Sequence, residues 1–102
     1  MTNHIDIASR IILTVLNTGI SPESAGRNLG EWIQEQDLDA GEGDVITDAI
    51  TLVASRINPT LVEWFDDLLF HASCECPGDL GRRIDAARMA VIPGLRNADP
   101  SW

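Results

Sequence analysis

The sequence contains no lysine and no tyrosine, and only two cysteines, two histidines and five aromatic residues in 102 positions. Each scarcity closes a class of explanation. No apolar run approaches the roughly 20 residues that a membrane-spanning helix needs. The opening segment, Met1 to Arg10, has no basic stretch ahead of a short apolar one. No secretion signal is therefore read, and a cytoplasmic protein is expected. Glycine-rich phosphate loops, H-E-x-x-H and G-x-S-x-G are all missing, so the chain is not expected to be an enzyme. The adjacent acids Asp66 and Asp67 do not replace them, because neighbours on a helix point about 100° apart.

Both cysteines fall in one cluster, "HASCECP", which supplies His71, Cys74 and Cys76 as metal-ligand candidates. A structural zinc takes four ligands, commonly as two separated pairs, and His4 is remote in sequence. A C-x-C pair also allows a strained disulfide or an oxidisable thiol pair. No metal and no cofactor are expected. At least one thiol is read as a small buried apolar group in a reducing compartment.

What is abundant is negative charge: the formal net charge is −9. It is unevenly spread. Residues 1–27 balance, residues 28–81 hold twelve acids against Arg56 alone, and residues 82–102 carry four arginines against Asp85 and Asp99. A field of this sign repels nucleic acid and membranes and attracts basic proteins.

Apolar residues make up 44% of the chain, which suits one compact domain with one core. Helical spacing organises most of them. A first helix is expected from Asn3 to Asn17, with Ile5, Ala8, Ile12, Val15 and Leu16 inward and Ile7 and Ile11 widening that face. Ser21 and Pro22 open a second, whose stripe is Ala25, Leu29, Trp32, Ile33 and Gln36. Gly26 and Gly30 stand beside that stripe, four apart, and are expected to allow close packing on a neighbour. A third helix follows Asp44, with Ile46, Ala49, Ile50, Val53, Ala54 and Ile57. Asn58 and Pro59 open a fourth, central helix carrying Leu61, Val62, Trp64, Phe65, Leu68, Leu69 and Ala72. Asp79 caps a fifth, with Leu80, Ile84, Ala87 and Val91 inward, ended by Pro93-Gly94. The expected fold is all-α: a compact four- to five-helix bundle over residues 1–93, with a partly mobile tail at 94–102.

The segment "DLDAGEGDVITD" has the outline of a calcium loop between two helices. Asp37, Asp39 and Asp48 stand at its first, third and twelfth positions. Glu42 stands where glycine is needed, Asp44 where an apolar residue is needed, and Gly41 brings no ligand. An acidic connection is the better reading.

On the fourth helix Glu63, Asp66, Asp67 and Phe70 share one strip, at spacings of three, four and seven, away from the apolar arc. An aromatic ringed by carboxylates suits a basic partner: the ring fills a pocket while the acids steer encounter. Packing of Phe70 under the tail or against the fifth helix, with Trp102 as a candidate neighbour, is the competing reading. Glu31 and Glu35 on the second helix, with Asp37, Asp39 and Glu42 in the loop, extend the acidic surface.

In size, charge, helicity and lack of catalytic motifs the chain resembles the small acidic inhibitors of phages and mobile elements, such as anti-CRISPR proteins and other DNA mimics. That resemblance implies a protein that occupies a basic, nucleic-acid-binding site on a larger partner, without binding nucleic acid or membrane itself. It carries no residue roles. An immunity protein or antitoxin against a basic nuclease fits the same features. A metal- or redox-responsive protein using His71, Cys74 and Cys76 is the alternative of another class. The oligomeric state is left open by the sequence.

Overall fold

A computed structural model describes residues 3–16, 19–36 and 44–97. Among them are five α-helices and no strand: α1 (His4–Leu16), α2 (Pro22–Glu35), α3 (Asp44–Ala54), α4 (Val62–Glu75) and α5 (Gly78–Asn97), with a 3-10 turn at Pro59–Leu61 before α4. No helix among the described residues is long and apolar enough to cross a membrane. The all-α bundle expected from the sequence is what forms.

The helix starts are written locally. At α1 the Asp6 amide donates to Asn3 Oδ1 at 3.0 Å and the Asn3 amide donates back to Asp6 Oδ2 at 3.4 Å, a reciprocal cap. At α2 the Ser24 amide donates to Ser21 Oγ at 3.2 Å, and Pro22 follows where its missing N–H costs nothing. Ahead of α4, Asn58 Oδ1 accepts from the Thr60 amide at 3.0 Å. Gly78 opens α5 with φ of 62°, a left-handed conformation that suits glycine. Asp79 is therefore inside the first turn of α5 rather than capping it.

Helix α4 is the hub. It packs on α2 on one side and α5 on the other; α3 lies against α5, and α1 mainly against α3. Phe65 of α4 is fully buried in a single cluster with Ile7, Ile11, Leu29, Ile46, Ile50 and Ile84. No polar or charged side chain is buried with it among the described residues.

Two expectations are corrected. The buried residues of α1 are Ile7, Ala8, Ile11 and Val15, so Ile5 and Leu16 face outward and Ile12 only partly inward. With apolar residues on nearly every side, the periodicity of α1 does not single out a face; docking on α3 does. Secondly, α5 does not stop at Pro93-Gly94 but continues to Asn97. Proline inside a helix removes one hydrogen bond and costs about 3 kcal/mol. Leu95 packing against the core and the ion pairs of Arg96 offset that loss.

Helices α2 and α4 approach each other closely at two glycines. A Cβ on Gly26 would stand 2.6 Å from the Leu68 carbonyl oxygen, and one on Gly30 would stand 2.8 Å from Glu75 Cβ and 3.0 Å from the Ala72 oxygen. Contacts advance together along both helices, so α2 and α4 run in the same direction. Gly94 has no such neighbour within 4 Å. Gly26→Ala is therefore expected to lower stability by about 1–3 kcal/mol despite its better helix propensity. Gly94→Ala is expected to raise it by about 0.5–1 kcal/mol. Urea unfolding followed by circular dichroism measures both; a Gly26→Ala variant at least as stable as wild type excludes the close approach.

Candidate interaction surface

The sequence places Glu63, Asp66, Asp67 and Phe70 on one flank of α4, and the structure lays α5 along that flank. Pairing of residues 63 and 66 with 96 and 88 runs in opposite sequence directions, so α4 and α5 form an antiparallel hairpin. Arg96 forks onto Glu63, Nε donating to Oε1 at 2.9 Å and Nη2 to Oε2 at 3.1 Å. The same Nη2 donates to Asp66 Oδ2 at 2.8 Å. Arg88 Nη1 donates to Asp66 Oδ1 at 2.8 Å, while its Nε and Nη2 reach Asp85 Oδ1 at 3.1 and 2.9 Å. Three acids and two arginines thus form one continuous network.

The expectation of an open strip of carboxylates is revised for Glu63 and Asp66, which are neutralised by the chain's own guanidiniums. The Arg96 hydrogen bonds hold the Glu63 carboxyl below its ordinary value of 4.5. The same bonds raise Arg96, and the bond to Asp66 raises Arg88. Arg88 also lies over Phe70, its Cζ 5.5 Å from the ring centroid. The His71 ring meets Phe70 edge-on at 5.3 Å. Phe70 nevertheless remains 45% exposed. The basic surplus of residues 82–102 was visible in the sequence. Ending α5 at Pro93 hid its target, because Arg96 reaches Glu63 only from a continuing helix.

Other acids are left outward. Glu31 and Glu35 on α2 and Glu75 on α4 line one shallow depression with Gln34. Gln34 Nε2 bridges the helices there, donating to the Gly30 carbonyl at 3.3 Å and the Glu75 carbonyl at 3.2 Å. Glu31, Glu35, Asp67 and Glu75 have no ion-pair partner among the described residues. Glu75, in the last turn of α4, was not singled out from the sequence. Its neighbour Gly30 was the available signal. Asp37, Asp39 and Glu42 lie outside the described residues.

His71, Cys74 and Cys76 do not converge. Cys76 is buried, its Sγ donating to the Gly30 carbonyl at 3.5 Å, and burial pushes its thiol up to about 11. Cys74 is exposed and both thiols are free. Among the described residues no group of three or more His, Cys, Asp or Glu side chains is arranged to hold a metal ion.

The network gives a signed pH dependence. A carboxyl lowered by folding contributes stability that is complete above its unfolded value and is lost as pH falls through the folded one. Wild type is expected to lose more stability than Glu63→Gln between about pH 5 and pH 3, in urea titrations at each pH. Equal losses remove the Arg96–Glu63 bond from the account. Arg88→Ala, which strips a partner from the 15%-exposed Asp66 side chain, is expected to cost about 1–2 kcal/mol at pH 7.

No protein-family model, curated protein or solved structure matches this chain, which leaves its own side chains as the ground for a functional reading.

Proposed function

We propose that this protein acts by binding: its acidic α2–α4 face occupies a basic, nucleic-acid-binding site on a larger protein and blocks it. One observation carries the reading. Glu31, Glu35, Glu75 and Asp67 stay unpaired among the described residues while Glu63 and Asp66 are satisfied from within. The bundle uses its arginines on the flank of α4 that faces α5, and Glu31, Glu35 and Glu75 line the depression between α2 and the end of α4. Carboxylates on a rigid helix pair offer arginine and lysine groups an alternative to phosphate. The Gly26 and Gly30 contacts supply that rigidity, so little conformational freedom is lost on docking.

The recesses fit binding better than catalysis. The recess between α1 and α3, about 260 Å³, is walled by apolar residues including Ile12, Val53, Ile57 and Leu61, with Arg56 and Asn58 at hand. It holds no carboxylate, histidine or thiol to move a proton or attack a substrate. Neutralisation of a nuclease toxin uses the same face and differs only in the partner.

The test begins by capturing a partner from the native host and then measuring the purified pair. The captured protein should bind nucleic acid, and duplex DNA or RNA should compete with this chain for it. Affinity should fall as ionic strength rises, because exposed charges are screened over about 8–10 Å near physiological salt. The Glu31→Arg/Glu35→Arg variant should weaken binding at least about tenfold, a loss of about 1.4 kcal/mol, with helicity unchanged. Undiminished affinity in that variant, or no competition by nucleic acid, defeats the proposal.

A further inference from the structure

Helix α1 exposes more apolar surface than a helix on the outside of a bundle usually does. Three of the six large apolar side chains exposed among the described residues belong to it: Ile5 at 57%, Leu13 at 65% and Leu16 at 67%. At 100° per residue, these three and Ser9 share an arc of about 80°, directly opposite the buried Ile7, Ala8, Ile11 and Val15. A helix that is apolar on both faces is normally covered on both.

The charges on α1 say what kind of surface covers it. Its exposed ionic groups are Asp6 and Arg10, which cancel, on a chain of net charge −9. A basic partner finds no net attraction here. A second copy meets no net repulsion on this face.

The spacing on α1 is also self-complementary. Ile5 and Leu13 lie four residues either side of Ser9. If two α1 helices pack antiparallel about a twofold axis through Ser9, each Ile5 meets Leu13 of the second copy. The small Ser9 allows the axes to approach to about 8 Å. Asp6 and Arg10 lie on the same flank of the arc. With a rise of about 1.5 Å per residue, that symmetry sets Asp6 of one copy about 3 Å along the axis from Arg10 of the other, twice. Arg10 is already held on that flank, its Cζ 5.3 Å from the Trp32 ring centroid. We infer that the chain forms a twofold homodimer through α1, antiparallel, with Ile5 against Leu13 and Asp6 beside Arg10 across the axis.

The face is modest in size. One pair of helices about 20 Å long sits at or below the lower bound of about 1,200 Å² for stable interfaces, so a micromolar dissociation constant is expected.

Sedimentation velocity on the full chain tests this over about 1–500 µM, a range that brackets micromolar affinity. Wild type should pass from monomer to dimer across it. Leu13→Arg and Ile5→Glu, both at exposed positions, should each weaken the dimer about tenfold or more. The double variant should regain it, because the introduced charges then face each other across the axis. The Glu31→Arg/Glu35→Arg variant should dimerise like wild type, which keeps this result separate from the acidic-face proposal. A chain that stays monomeric throughout, single variants that dimerise normally, or a double variant no better than its parents overturns the inference.

Discussion

The close approach of α2 to α4 at Gly26 and Gly30 is the constraint on which the rest of the molecule depends. Without side chains at these positions, the α2 backbone sits against the Leu68 and Ala72 carbonyls and the His71 and Glu75 side chains. That contact makes α2 and α4 parallel neighbours, which obliges the chain to return through α3 on the other side of the core. It brings the Glu75 carbonyl within reach of Gln34 and the Gly30 carbonyl within reach of the Cys76 thiol at the same end. It also sets Glu31 and Glu35 beside Glu75. Glycine in a helix costs about 1 kcal/mol at each position, a cost that packing of this closeness offsets.

The second organising feature is the division of charge. Arg88 and Arg96 reach back from α5 to Asp66 and Glu63, and Asp66, whose side chain is 15% exposed, takes both guanidiniums. Its neighbour Asp67, one residue and about 100° further round the helix, takes neither. The acidic middle of the sequence is thus two populations. One fastens α5 to α4 and extends α5 past Pro93. The other faces solvent along α2 and the end of α4.

Much of the fold was legible. The cap at Ser21, the stripes of α2, α3 and α4, and the tight glycine contact all follow from spacing and local hydrogen bonding, whereas Asn58 and Pro59 open a 3-10 turn and α4 itself begins at Val62 without a side-chain cap. Failures occurred where local signals conflicted with tertiary ones. Pro93 is a sound stop signal taken alone; Leu95, packed on the core, and Arg96, bonded to Glu63 more than thirty residues away in sequence, override it. In α1 the periodicity itself is degenerate, since Ile5, Ile7, Ile11, Ile12, Leu13 and Leu16 surround the axis. Only the position of α3 decides which of them are buried. The acidic strip was correctly placed on one flank of α4, but a sequence does not reveal which flank a later helix covers.

The excess of apolar residues on α1 and of acids on α2 and α4 are coupled by the same economy of surface. A bundle this small has few faces, and α1 packs mainly on α3, away from the α4–α5 hairpin. A chain of net charge −9 resists self-association wherever its acids point outward. The local balance of Asp6 and Arg10 lifts that resistance on α1. A homodimer paired through α1 would carry two acidic faces. Two such faces on one particle raise the effective affinity for a partner that presents basic sites in pairs, provided their separation lets both engage together. A two-sided sequence pattern that looks wasteful in one chain becomes economical in two.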